Sequence, residues 1–224
     1  KKGKRYISTE LGKKISTLYI EPDTGIMFKD AIMNIEQGKN CTLGLLHLTL
    51  SSADSRPRMY VKQKDWEELT EFLMDIGNEL ITDPKREKMI GGDEKMASIK
   101  LLRLICAWAD EWSEERILSE LGIEPGDLHR AIENCNWLLY SLREICSLYS
   151  RIDLISQIEQ LRIRVRYGIK SELQELVQFE GVGRIRARSL HNNGFKDFNT
   201  ISKISIDKLS SVPKIGVTLA KSLK

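Results

Sequence analysis

Apolar positions recur with a helical period along almost the whole chain. Leu11, Ile15, Leu18 and Tyr19 fall at i, i+4, i+7 and i+8, and Thr9 is placed to cap a first helix. Tyr6 to Ser8 reads as the end of a strand before it, and Glu21-Pro-Asp-Thr-Gly25 as a turn after it. Residues 26–35 and 42–50 have the pattern of two short helices. Asp65 stands where it would cap a helix carrying Trp66, Leu69, Phe72, Leu73 and Ile76. The polar stretch 82–93, with Pro84, Gly91 and Gly92, reads as a loop. A long helix then runs from about Asp93 to Trp112, with Leu101, Ile105, Trp108 and Trp112 as its apolar stripe. Ser113 opens a short helix that ends near Gly122. Pro125-Gly-Asp127 opens another that reaches about Tyr149, and a further helix covers 151–167 and stops at Gly168. The pattern predicts an all-α fold.

The helix from Pro125 carries the most informative wheel. At about 100° per residue, Leu128, Ile132, Cys135, Leu139, Leu142 and Cys146 share one face, and Arg130 and Trp137 lie together on the opposite side. They are seven residues apart, roughly 10.5 Å along the axis. A Trp can stack on any base, and an Arg adds charge and a second stacking plane, so the pair suits a nucleic-acid strand. The other reading is that this helix is buried on both sides and Trp137 fills a second core layer. Trp66, Trp108 and Trp112 lie on apolar stripes and read as core. Arg162 and Arg166 share a face of the following helix, either as a solvated basic surface or close to phosphate.

Beyond Gly168 a motif carries chemistry. Leu176-Val-Gln-Phe179-Glu-Gly181-Val182-Gly183-Arg-Ile-Arg-Ala187-Arg-Ser-Leu190 has the helix-hairpin-helix pattern: apolar, two spacers, apolar, spacer, Gly, apolar, Gly, three spacers, Ala, two spacers, apolar. Gly181 and Gly183 permit backbone conformations closed to other residues. The amides then point outward at a helix N-terminus, where partial positive charge and unpaired N–H groups bind a phosphate oxygen. Val182 plugs the hairpin, and Ala187 lets the helices approach. A second copy follows 33 residues later, from Leu209 through Lys214-Ile215-Gly216 to Ala220 and Leu223, with a short helix, Asn199 to Ile204, between the two. Lys214 replaces the first glycine, weakening the amide cradle and adding a cation. Arg184, Arg186 and Arg188 follow the first hairpin. Phosphate contacts of this type give affinity without sequence specificity.

Composition narrows the classes. The 224 residues are 41% hydrophobic and 30% charged with a net charge of +3, which suits one or two folded domains and excludes global disorder. The longest apolar runs fall far short of the roughly 20 residues that a membrane span requires, and no secretory signal opens the chain. It starts with Lys1 rather than Met, which points to a fragment boundary. The small net charge hides a pattern. Residues 1–20 carry six Lys/Arg against one acid, 21–167 nineteen against twenty-six, and 168–224 ten against five. Two basic ends around an acidic middle fit two segments touching a polyanion. The four cysteines, at 41, 106, 135 and 146, lack zinc spacing and read as reduced and buried; the three histidines are too scattered for a metal site.

Four stretches together resemble the C-terminal half of the archaeal Ski-two-like superfamily-2 DNA repair helicases, to which the helicase half of DNA polymerase theta is related. They are Thr9-Glu-Leu-Gly-Lys-Lys-Ile-Ser-Thr-Leu-Tyr-Ile-Glu-Pro22, Leu43-Gly-Leu-Leu-His-Leu48, Pro125-Gly-Asp-Leu-His-Arg130 with Trp137-Leu-Leu139, and Gly181-Val-Gly-Arg-Ile-Arg-Ala-Arg188. The resemblance implies residues 1–25 as the end of a winged-helix domain, 26–167 as a helical ratchet domain and 168–224 as a helix-hairpin-helix domain. It implies that Arg130 and Trp137 face the bases of the translocating strand. It also implies that the arginine-rich hairpin holds the 3′ tail of single-stranded, forked or 3′-tailed DNA and can act as a brake.

Further partners implied are the protein's own motor domains upstream and other replication-repair proteins, with a cytoplasmic, nucleoid-associated location. The sequence has no Gly-x-x-x-x-Gly-Lys-Ser/Thr loop and no Asp-Glu box. No cofactor is therefore expected in this chain, and ATP and Mg²⁺ are expected only in the motor domains. Two other readings stay open. A repair glycosylase or nuclease would need a catalytic Lys or Asp after the hairpin, where Lys196 and Asp197 lie. A non-catalytic duplex-binding module could use Ser113 to Trp137 as a helix-turn-helix, although His129 and Arg130 stand beside Glu133.

Overall fold

The computed structural model describes residues 7–81 and 91–224. Among these residues the fold is all-α, with no strand. The expected strand end at Tyr6 and most of the expected 82–93 loop lie outside the described residues; Ile7 and Ser8 pair with nothing as strand.

Local signals set most helix boundaries. Helix α1 (Glu10–Leu18) is capped by Thr9, whose hydroxyl accepts from the Gly12 amide. Helix α2 (Pro22–Asn34) begins inside the predicted turn, because Pro22 occupies the first helical position, where a missing N–H costs nothing. Helix α3 (Thr42–Leu50) is buried on every side from Gly44 onward, so its sequence is a continuous apolar run. Helix α4 (Asp65–Ile76) precedes a 3₁₀ turn, Gly77–Glu79. Asp65 is the first helical residue rather than the cap, and its carboxylate takes the Lys62 amide and the Lys100 ammonium. Helix α5 (Gly92–Ala109) stops short of the predicted end. Helix α6 (Glu114–Leu121) runs between the Ser113 cap and a left-handed Gly122. Helix α7 (Pro125–Leu148) and helix α8 (Ile152–Tyr167) form a long antiparallel pair.

These helices share one core. The α7 stripe of Leu128, Cys135, Leu138, Leu139, Leu142 and Cys146 is at most 2% exposed and meets α1, α2, α3, α5 and α8. Ile15, Leu18 and Ile20, near the amino end, belong to the same cluster. Burial pushes the Cys106 and Cys146 thiols up to about 12, so neither is a nucleophile at neutral pH.

A second cluster begins at Ile169 and runs to Leu223. Its elements are two 3₁₀ turns, Ser171–Leu173 and Leu176–Gln178, then α9 (Arg184–Asn192), α10 (Phe198–Lys203), α11 (Ile206–Ser210) and α12 (Val217–Ser222). The first element of the first hairpin is thus 3₁₀ rather than α. The two clusters meet at Gly168, which closes α8 with φ +63°. A Cβ there would stand 2.4 Å from Cε2 of Trp108, so the site requires glycine for both its backbone and its space.

Candidate nucleic-acid interface

The two C-terminal hairpins have the same backbone. Gly181 has φ +77° and Lys214 φ +69°, so the lysine accepts the left-handed conformation that the repeat imposes. Val182 and Ile215 are each 3% exposed and plug the hairpins, and their amides donate to Phe179 O (3.1 Å) and Val212 O (3.0 Å). Gly183 and Gly216 cap α9 and α12 in extended conformation, with no side chain to serve the first turn. The first helical bonds run from the Ala187 amide to Gly183 O and from the Ala220 amide to Gly216 O, both 2.9 Å. Earlier amides of each turn, Arg184 to Arg186 and Val217 to Leu219, find no acceptor among the described residues. Ala187 and Ala220 are fully buried at the close helix approaches. Gly181, Gly183, Lys214 and Gly216 are exposed, so both hairpin mouths open to solvent. The hairpins lie side by side: a Cβ on Gly181 would be 3.3 Å from Leu219 Cδ1, and Ser189 Oγ donates to Pro213 O at 2.6 Å. Ile185 and Val217, more than half exposed at the mouths, are not singled out by the sequence pattern.

The three arginines of α9 divide in an unexpected way. Arg186 is exposed and donates back to Gly181 O at 2.6 Å, bracing the hairpin. Arg184 instead turns toward the bundle. Its guanidinium donates to Trp112 O at 2.6 Å and lies 4.4 Å from the centre of the Trp108 ring, and burial lowers its pKa. Arg188 bonds both oxygens of Glu111, through Nε at 2.8 Å, and also Glu172 at 2.8 Å, contacts that raise its pKa. Burial pushes the Glu111 carboxyl up, but Arg188 and the Lys170 amide more than offset this and hold it below the usual range. A helix spacing of four puts Arg184 and Arg188 together on the face that docks against the α5–α6 corner, whereas Arg186 is exposed.

On α7 the predicted pair is also unequal. Arg130 is exposed and ion-paired with Asp127 at 2.5 Å. Trp137 is partly buried against the first core, and its indole N–H donates to Leu18 O at 3.2 Å. The wheel places it opposite the main stripe, but the α1–α2 corner covers part of that side. Trp108 and Trp112 are likewise partly buried at the core's edge, and Trp66 is half-buried outside it. Of the basic pair on α8, Arg162 bonds Glu159 and lies 5.3 Å from the Tyr140 ring, and Arg166 is exposed.

The alternative sites find other uses. The Asp197 carboxylate accepts the Thr200 amide at 2.7 Å and closes a capping box on α10. His129 Nε2 lies 3.2 Å from a carboxylate oxygen of Glu133, one turn along the same face of α7. Among the described residues no His/Cys/Asp/Glu group could hold a metal ion, and no helix is long and apolar enough to cross a membrane.

A helical bundle with a long central helix, followed by two helical hairpins, defines an all-α class. The sequence profile of a family described as archaeal helicase, domain 4, matches residues 43–168, more than half of the chain, and the chain belongs to that family. The wider resemblance to archaeal Ski-two-like superfamily-2 helicases holds with it. The chain is 35% identical over 217 residues to the ATP-dependent DNA helicase Hel308 of Pyrococcus horikoshii, and 33% identical over 215 residues to that of Pyrococcus abyssi. Each alignment covers 95% of this chain and 29% of the relative. A Hel308 helicase of Methanocella arvoryzae is 29% identical over 99% of the chain. The chain thus spans under a third of the length of these curated relatives.

Proposed function

We propose that this chain is the DNA-gripping segment of an ATP-dependent 3′-to-5′ DNA helicase that acts on forked or 3′-tailed DNA in repair and replication restart. One observation carries the reading: a hairpin whose glycines and first-turn amides face solvent without an acceptor, braced from behind by Arg186. Family membership supports it. In this reading residues 1–25 end a winged-helix domain, 26–167 form the ratchet and 168–224 form the hairpin domain. Arg130 and the exposed part of Trp137 meet bases. Gly181, Val182 and Gly183 form the phosphate turn, Arg186 stands beside it, and Lys214 and Gly216 form the second turn. Arg184 and Arg188 hold the hairpin domain against the bundle. ATP and Mg²⁺ belong to motor domains on the rest of the protein, and those domains, other replication-repair proteins and the nucleoid are its surroundings.

Fluorescence anisotropy with labelled 3′-tailed, 5′-tailed and blunt DNA tests this. The chain should prefer the tailed forms and lose affinity steeply with salt. The double variant Arg130→Ala, Trp137→Ala should weaken single-strand binding by roughly 1–3 kcal/mol. Arg130→Ala alone separates contact from packing, because Arg130 is exposed whereas Trp137 is bonded to Leu18. Equal affinity for blunt duplex, or an unchanged double variant, would refute the assignment.

A further inference from the structure

Between Arg130 and Trp137 on the same side of α7 stands Asn134. Its side-chain oxygen accepts the Arg56 amide at 2.7 Å, and its side-chain nitrogen donates to Asp54 O at 3.1 Å. One side chain thus pairs with a loop segment as a neighbouring strand would, across about 80 residues of sequence. The Asp54 carboxylate in turn accepts the Glu21 amide at 2.8 Å, at an α2 start that has no cap from its own side chain. With the Trp137–Leu18 bond, these contacts tie the α1–α2 corner, the 54–58 loop and α7 into one surface.

At the loop this surface carries two exposed arginines. Arg56 is exposed, and Nη1 is held by two backbone carbonyls, Ala53 O at 2.9 Å and Ser55 O at 2.7 Å, with no carboxylate paired to it among the described residues. Arg58 is exposed and has no ion-pair partner among the described residues. It also borders a cleft of about 2300 Å³ on the side of the loop away from α7, since none of the residues lining that cleft comes from α7. Asn134 lies one helical turn, roughly 6 Å, from Arg130. The Arg56 backbone therefore enters the surface between the levels of Arg130 and Trp137.

We infer that the 54–58 loop is a phosphate-contacting element of the strand-binding face, with Arg56 and Arg58 as its cations and Asn134 as the positioning residue that aligns it. The inference rests on the reading of α7 as a strand-binding helix. Bases meet Arg130 and Trp137 on one side, and the backbone of the same strand lies along the loop. The Arg56 guanidinium, held by backbone carbonyls through Nη1 alone, and the exposed Arg58, neither paired with an acid among the described residues, have N–H groups left to bind a phosphate oxygen.

The test is the salt dependence of single-strand binding by the 224-residue chain, with an oligothymidylate probe. Arg56→Ala, Arg58→Ala should reduce the slope of log K against log salt by about 0.7 for each phosphate that the variant no longer neutralises and weaken binding several-fold. Asn134→Ala should weaken binding by a similar factor in the parent and by much less when added to the double arginine variant. A purely structural Asn134 would give the same factor in both backgrounds, and that result overturns its assignment. Full affinity and slope in a folded Arg56→Ala, Arg58→Ala chain overturns the inference and leaves the α7 reading in place. A parent chain that binds no single strand overturns both.

Discussion

Gly183 offers a substitution that should separate the phosphate turn from fold stability. Its φ of −91° and ψ of −176° suit any residue, and a Cβ there would meet nothing within 4 Å. It is also the N-cap of α9, with no side chain serving that helix start. Aspartate is among the best N-cap residues and exceeds glycine by a few tenths of a kcal/mol. Gly183→Asp should therefore leave the unfolding midpoint unchanged or slightly raised. The same carboxylate accepts the amides that would otherwise face a phosphate and places a like charge where that phosphate sits. Two unit charges about 4 Å apart repel by about 1 kcal/mol in water and about 4 kcal/mol at the dielectric of a protein surface. Affinity for 3′-tailed DNA should fall at least five-fold, and the salt slope should drop by about 0.7. Urea melts read by circular dichroism, beside anisotropy titrations at several salt concentrations, measure both effects. A folded Gly183→Asp chain that binds as tightly as the parent, with the same slope, refutes phosphate capture by this turn.

Three further outcomes follow from the same geometry. Gly168→Ala should destabilise the chain by roughly 2–5 kcal/mol in a denaturant melt, from the left-handed backbone and the clash with Trp108; a loss below about 1 kcal/mol would mean that the junction rearranges freely. Lys214→Gly should stabilise by about 1 kcal/mol by relieving a left-handed lysine and weaken DNA binding by removing a cation, two effects read by melting and by anisotropy. The Arg151 guanidinium beside Asp153, with the Gly38 amide, holds the Asp153 carboxyl at about 2. Because the folded value lies below the unfolded one, its stabilisation is present above pH 4 and disappears as pH falls toward 2. Asp153→Asn should therefore cost up to about 2 kcal/mol at neutral pH and flatten the melting profile between pH 4 and 2.

Local chemistry is legible in the sequence where neighbours in the chain supply it. The Ser113 and Gly122 boundaries of α6, the stop at Gly168 and the paired hairpin backbones all follow from caps and turns within a few residues. Pro22 misleads because proline both makes turns and opens helices, and only the packing of α2 on α7 decides between them. Helical periodicity places Arg184 and Arg188 on one face but cannot say what that face meets, since Glu111 lies 77 residues from Arg188. The partial burial of Trp137 escapes the wheel for the same reason: its partner carbonyl, on Leu18, is 119 residues away. Asn134 gives no signal at all, because one polar residue on a polar face is indistinguishable from solvated surface until the 54–58 loop is seen against it.

The junction between the two cores has mechanical consequences. A single residue, Gly168, separates the end of α8 from Ile169, the first buried residue of the second cluster. Arg184 on Trp108 and Arg188 on Glu111 brace the joint from the side. There is no slack tether to absorb a pull. Tension on a nucleic-acid chain gripped at the hairpin tips would be carried into the long helices as through a rigid crank, and torque on those helices would be felt at the tips. Unbolting Arg188 from Glu111 would put a swivel into that drive train while leaving the hairpin glycines and Arg130 unchanged.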